Sequence, residues 1–193
     1  MYHKGLTREA VVEKAADMIS RGGMSNFSLH RLAAELEIKT ASLYRHVSGL
    51  EDVLNEVGIR ALQLQRNAQL CAIEGKTGDD AVFALADAYR RFALENGELY
   101  RLIMSMQSAG DTLAGEARII PEVVMRVLEP YGLTPREAMH WQRILRSVMH
   151  GFISHEEAGY FTHYPAEKET TYRMAIRCFL DGLKAEIARR PEQ

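Results

Sequence analysis

Cysteine is scarce in this 193-residue chain, and long apolar runs are absent. The two cysteines, Cys71 and Cys178, are far apart and match no metal-ligand or redox spacing, so we expect both to be buried thiols. No apolar run approaches the roughly 20 residues that span a bilayer, and the first residues lack the apolar segment of a signal peptide. The sequence therefore predicts a cytoplasmic protein without membrane contact.

Enzyme motifs are also missing from the sequence. It contains no Gly-rich phosphate loop and no nucleophile elbow. The one cluster of interest is His150, His155 and Glu156, but it departs from the His-Glu-x-x-His pattern, and a five-residue spacing turns the two imidazoles onto different helical faces. We expect no enzyme and no cofactor. A metal-dependent enzyme that uses these three residues is kept as an unfavoured alternative.

Positive charge is concentrated at the front of the chain. The formal net charge is −2, yet residues 1–50 carry seven Lys/Arg against five Asp/Glu, and the remainder carries 17 against 21. His3, His30 and His46 lie in the same segment and can add charge near a polyanion. This asymmetry favours a nucleic-acid contact near the N-terminus.

Apolar residues recur at spacings of three and four, and no sustained period-two alternation is present, so the chain is predicted to be all-α. Glycine and proline divide it into short-looped helices, which implies a bundle. The expected helices run over about 8–21, 29–37, 40–46, from 50 onward, 78–95, 97–108, 116–130, 135–158 and 168–189.

The most informative stretch is residues 28–47, where two short helices joined by a tight turn predict a helix-turn-helix. Leu43 and Val47 lie four apart and should face inward, which leaves the polar face of the third helix outward. That face suits DNA, because cations and hydroxyls contact phosphates or bases and a methyl can contact thymine. Its residues are Lys39, Thr40, Ala41, Ser42, Tyr44 and Arg45.

These residues resemble the DNA-binding head of the tetracycline-repressor (TetR) family over residues 7 to about 56. The resemblance rests on Phe27-Ser28, Leu32-Ala33, Leu36, Ile38 and Ser42-Leu43-Tyr44-Arg45-His46. Residues 146–161 are similar to the C-terminal domain of a subset of that family, marked by a His-Gly pair followed by an aromatic residue. Three positions depart from the family pattern: Glu37 replaces the turn glycine, Val47 an aromatic, and Leu50 a lysine that contacts phosphate.

The resemblance implies an all-α fold with a three-helix DNA-binding head at residues 1–50 and a ligand-binding and dimerisation domain at 51–193. It implies a homodimeric repressor that binds a palindromic double-stranded operator and is relieved by a small molecule, and it also puts His30 and His46 at or near DNA. A helical partner-binding scaffold without a DNA role is the main alternative.

In the body, broad apolar bands on the last two helices predict a dimer interface, although both bands could instead serve only the protomer core. The predicted interface residues are Val148, Phe152, Tyr172, Ile176, Phe179 and Leu183. A pocket for a small hydrophobic or aromatic effector is expected among the middle helices, lined by Phe92, Met104, Trp141, His150 and Phe152. The fourth helix would couple that pocket to DNA through its tilt.

Overall fold

The computed structural model describes residues 5–106, 119–163 and 165–190, and no strand occurs in those ranges. The prediction of an all-α fold is confirmed. The helices are α1 (Arg8–Gly22), α2 (Leu29–Glu35), α3 (Thr40–Leu43), α4 (Leu50–Ile73), α5 (Gly78–Glu95), α6 (Gly97–Met106), α7 (Ile119–Leu128), α8 (Pro135–Glu157) and α9 (Lys168–Ala188).

The helix starts follow local capping chemistry. The side chains of Thr7 and Ser28 accept hydrogen bonds from backbone N–H groups three residues onward, at the first turns of α1 and α2. Thr134 forms a capping box with Glu137, and Pro135 occupies the first turn of α8. Short-range signals of this kind are visible in the sequence, and these predicted starts are confirmed.

Three predicted helix boundaries differ from the structure or lie outside the described residues. α3 ends at Leu43 rather than near His46, and the chain continues in turns closed by bonds such as His46 N to Leu43 O at 2.9 Å. The predicted helix end at 108 and helix start at 116 fall outside the described residues. α6 is described to Met106, and α7 from Ile119.

The chain divides into two compact units, and the first comprises residues 1–65 and 92–119. Within it α6 packs against α1. Gly58 of α4 permits a close approach, since a Cβ built there would lie 1.8 Å from the Met106 sulfur. The core of this unit includes Val11, Ala15, Ile19, Leu32, Leu43, Val53, Val57, Leu102 and Ile103.

The second unit comprises residues 66–91 and 120–193, and α8 packs against α9 within it. Arg90 of α5 bonds Glu156 of α8 at 2.9 Å and Glu169 of α9 at 2.5 Å. The buried Tyr172 hydroxyl donates to the carbonyl of Ala86 at 2.8 Å. These bonds connect α5 to both of the last two helices.

The predicted boundary after residue 50 stays a prediction, because compactness divides the chain differently. It groups α6 with α1 and the start of α4, although α6 begins about 75 residues after α1 ends. Helical periodicity identifies which face of a helix is buried but not the partner that buries it. This grouping could therefore not be predicted from the pattern.

The expectation that both cysteines are buried is wrong, because Cys71 and Cys178 are both exposed. Cys71 lies between Gln69 and Ile73, which are four residues apart and buried, so it falls on the opposite face of α4. No helix in the described part of the chain is both long and apolar enough to cross a membrane.

Candidate nucleic-acid interface

The α2–turn–α3 segment is anchored by a small apolar set. Leu32, Ala33, Leu43 and Val47 are each 2% exposed or less. Since α3 is only four residues long, hydrogen bonds within it cannot hold it in place, and the burial of Leu43 and Val47 must do so. The two inward positions predicted for this helix are confirmed as buried.

The turn between α2 and α3 bends through Glu37, whose φ is 56°. Among the described residues no other non-glycine has a positive φ. The N–H of Glu37 bonds the carbonyl of Ala34 at 3.0 Å, and that of Ile38 bonds Ala33 at 3.0 Å. A left-handed conformation costs an L-residue about 1 kcal/mol or more, which explains why glycine suits this position.

The outward face of this segment is polar and accessible. Lys39, Ala41, Tyr44 and Arg45 are exposed, with Tyr44 at 57%, whereas Thr40, Ser42 and His46 are half-buried. In the described part of the chain neither Lys39 nor Arg45 forms an ion pair, so both cations are available to an external anion. The structure thus gathers the predicted DNA-contacting side chains on one surface.

His30 joins this surface from α2. Its side chain is exposed, and its Nδ1 lies 3.4 Å from the Thr40 hydroxyl of α3. The contact connects the two helices of the motif directly across their outer edge. It also places the imidazole beside the polar face of α3, while a DNA contact of His30 stays a prediction.

Arg8 braces the end of the motif, and no feature of the sequence had indicated it. Its guanidinium donates to the His46 carbonyl at 2.8 Å, to both carboxylate oxygens of Asp52 at 2.6 and 3.0 Å, and to Glu56 at 2.9 Å. Asp52 also accepts from the Ser48 N–H at 2.7 Å. The Arg8 guanidinium and then this N–H hold the pKa of Asp52 below its ordinary value.

The Arg8 brace fixes α1, the turn after α3 and the first turns of α4 to one another. Arg8 lies 38 or more residues from each partner, so no local spacing announces the contact. Leu50, which stands where the family pattern has a lysine, is the first residue of α4, and its side chain is 44% exposed. α4 therefore begins without the cation that the family pattern has there.

The predicted pocket residues are divided between the two units, and the pocket stays a prediction. In the first unit Phe92 is 6% exposed and Met104 is half-buried. In the second unit Trp141, His150 and Phe152 are half-buried. The ring centroids of Trp141 and Phe179 lie 5.5 Å apart in an edge-on arrangement, and those of Phe152 and Tyr172 lie 5.1 Å apart. Trp141 and Phe152 therefore already pack within their own unit.

The side chains of the unfavoured metal site have other partners. Glu156 is 8% exposed and bound to Arg90, and His155 Nδ1 lies 2.7 Å from the Gly151 carbonyl. Within the described ranges no group of three His, Cys, Asp or Glu could hold a metal ion. These contacts give Glu156 and His155 structural roles at the end of α8.

The dimer prediction needs a correction at four of its six residues. Tyr172, Ile176, Phe179 and Leu183 are each 5% exposed or less within a single chain, so they have almost no surface to offer a second subunit. Val148 and Phe152 are half-buried. The apolar stripe of α9 belongs to its own unit because it packs with α8. The large apolar residues left accessible on these helices are Met139, Ile144 and Met174.

Comparison with known proteins defines the class. The family model described as "Tetracyclin repressor-like, C-terminal domain" matches residues 82–179. The chain is 34% identical over 158 residues to an uncharacterised HTH-type transcriptional regulator of Mycobacterium tuberculosis, covering 80% of this chain and 72% of that protein. The chain belongs to the TetR family of transcriptional regulators, as its head predicted.

The similarity extends over nearly the whole chain. The uncharacterised HTH-type transcriptional regulator YobS of Bacillus subtilis is 29% identical over 183 residues, which is 93% of each protein. The structure of BioQ with its natural double-stranded DNA operator superposes with a TM-score of 0.70 at 19% identity, covering 94% of this chain and 99% of BioQ. The fold and the family agree, and this protein is a DNA-binding transcriptional regulator.

Proposed function

We propose that this protein is a cytoplasmic repressor that binds a palindromic operator as a homodimer, with α3 in the major groove and a small molecule relieving the binding. One observation carries the proposal. The buried Leu43 and Val47 fix α3 while Lys39, Tyr44 and Arg45 stay exposed, which is the arrangement that groove recognition by a short helix requires.

Within this proposal the residues divide into phosphate and base contacts. Lys39 and Arg45 bind phosphates, because their charges are accessible and have no partner in the described chain. The methyl of Ala41 touches a thymine methyl, and the remaining polar side chains donate to phosphates or base edges. Those side chains are His30, Thr40, Ser42, Tyr44 and His46.

A two-fold dimer would use the outward faces of α8 and α9. Ile144 is 44% exposed and Met174 is 61% exposed, and each is large and apolar. On α8, a Cβ added at Gly151 would meet none of the described atoms within 4 Å, which leaves room for a second helix to approach. Two recognition helices related by the two-fold axis would read half-sites about 34–36 Å apart. That BioQ is known with a double-stranded DNA operator supports the DNA-binding part of the proposal.

The experiment that tests the proposal is operator binding by matched variants. DNA flanking the gene is searched for a palindrome, footprinted, and then titrated by fluorescence anisotropy. Tyr44→Ala should weaken operator binding by about fivefold or more, since a lost base contact costs about 1–3 kcal/mol. Lys39→Ala should weaken specific and non-specific DNA alike and reduce the salt slope by about 1.

Arg91→Ala is the control, because Arg91 is an exposed cation on α5, in the other unit. It should leave both affinities unchanged. A partner-binding scaffold without a DNA role predicts the opposite pattern, in which the wild-type protein prefers no duplex and Tyr44→Ala changes nothing. Effector relief is tested separately, by asking whether a compound that binds the protein lowers its operator affinity.

A further inference from the structure

Arg66 is a cation of the second unit for which the described residues supply no counter-ion. It is half-buried on α4, and its Nε is fully buried with no hydrogen-bond partner. By contrast Arg90 and Arg173 of the same unit each bond a carboxylate. A guanidinium keeps its charge at any ordinary pH, so a buried N–H without an acceptor is destabilising.

Gln69 lies one turn further along α4, on the same side as Arg66. It is 0% exposed, and within the described ranges neither its Nε2 nor its Oε1 has a hydrogen-bond partner. Native proteins satisfy most buried polar atoms, and an unpaired amide costs about 1–3 kcal/mol. Arg66 and Gln69 therefore present two donors and one acceptor, all unused, within one helical turn.

We infer that Arg66 and Gln69 form an effector subsite for a small organic carboxylate that also carries a hydroxyl or N–H group. The guanidinium edge at Nε would take the carboxylate side-on through two parallel bonds. The Gln69 amide would donate to the same carboxylate and accept from the neighbouring hydroxyl or N–H. One guanidinium balances one carboxylate, whereas a doubly charged phosphate would leave buried negative charge uncompensated.

This subsite deepens the proposed function, because its occupant is identified with the effector. It also narrows the expected chemistry, from a small hydrophobic or aromatic molecule to one that carries a carboxylate. Because α4 begins beside the DNA-binding segment at Leu50, a ligand on its later turns contacts the helix through which relief was expected to act.

Calorimetric titration at neutral pH tests the assignment with four named probes. Salicylate and 3-hydroxyoctanoate are an aromatic and an aliphatic hydroxy acid, salicylamide is the neutral counterpart, and phenyl phosphate is the dianion. We expect saturable binding of at least one hydroxy acid, about tenfold or more tighter than salicylamide or phenyl phosphate. Arg66→Gln and Gln69→Leu should each weaken that binding by about tenfold or more, while the control Arg91→Gln stays within about twofold.

Thermal melting shows whether a variant that binds weakly is still folded. Without probe, Arg66→Gln should melt at the wild-type temperature or above it, because the variant removes an unpartnered charge, and the bound acid should raise the melting temperature of wild type alone. Arg66→Lys retains the charge without the planar fork and should bind with intermediate affinity. The inference is overturned if neither hydroxy acid binds, if salicylamide or phenyl phosphate binds as well, or if Arg66→Gln leaves the affinity unchanged.

Footprinting of the same preparations separates this inference from the proposed function. Operator protection without hydroxy-acid binding contradicts the subsite alone. Hydroxy-acid binding without preference for any duplex contradicts the DNA-binding proposal and leaves the subsite standing.

Discussion

The segment around α3 and the last helix α9 contrast in how far a hydrophobic pattern determines a surface. In the first, Leu43 and Val47 are buried and the polar side chains between and before them are accessible. In α9 the apolar stripe predicted to meet a second subunit is instead the core of its own unit. A hydrophobic pattern identifies which side of a helix is buried. It also identifies the partner for the short α3, which has one apolar side, but not for α9.

The largest effect on stability should come from truncating one buried apolar side chain in each of the two segments. Leu43→Ala and Ile176→Ala each empty a site that is 0% exposed, so each should lower the free energy of unfolding by about 2–5 kcal/mol in urea denaturation. The exposed neighbours Tyr44 and Met174 provide controls, because their alanine variants should change it by about 0.5 kcal/mol or less. If Ile176→Ala loosens a dimer without destabilising the protomer, the assignment of α9 to the core is wrong.

A second prediction concerns the surface that α9 leaves free. Met174→Glu puts a charge on a side chain that is 61% exposed, so it should leave protomer stability unchanged. In the proposed dimer the same charge would lie at the subunit contact and should weaken dimerisation by about tenfold or more, as measured by analytical ultracentrifugation. Lys184→Glu would not serve as a control because Lys184 pairs with Asp79, so Arg91→Glu, on α5, is preferred. If Met174→Glu dimerises as strongly as the wild-type protein, Met174 does not lie at the subunit contact.

A third prediction uses the Arg8 brace. Since the pKa of Asp52 is lowered in the folded chain, its contribution to stability is present above the unfolded-state value of about 3.9 and is lost as pH falls through the folded value. Asp52→Asn should therefore reduce the melting temperature at pH 7 more than at pH 3. Asp17→Asn is the control. Asp17 pairs with Arg21 on the exposed surface, and its pKa is also lowered. Because water screens this pair, the melting temperatures of Asp17→Asn should show a smaller difference between the two pH values. If the melting temperatures of both variants change equally between pH 7 and pH 3, the Arg8 brace stabilises the fold no more than an exposed ion pair does.

The smallest effect is expected at the turn. Glu37→Gly relieves a left-handed residue and should raise the free energy of unfolding by up to about 1 kcal/mol in denaturant titration. Glu37→Ala removes the same charge but keeps the strained φ, so it separates strain from charge and should give no such gain. If the two variants are equally stable, the turn is not strained by its side chain.

Features that depend on neighbouring residues could be predicted from the sequence. The helix starts at Thr7, Ser28 and Thr134 follow from side chains that cap the next turn, and the helix-turn-helix from residues within one 20-residue stretch. The Arg8 brace and the packing of α6 on α1 could not be predicted, because both join residues far apart in the chain. The unpaired atoms of Arg66 and Gln69 could not be predicted either, since an unpaired buried polar atom is a property of the folded core and has no periodic signature in the sequence.

The most direct measurement is the operator affinity of Tyr44→Ala beside its melting temperature. We expect the affinity to fall by about fivefold or more while the melting temperature stays at the wild-type value, because the Tyr44 side chain is 57% exposed. An affinity equal to that of the wild-type protein would contradict the placement of α3 in the groove.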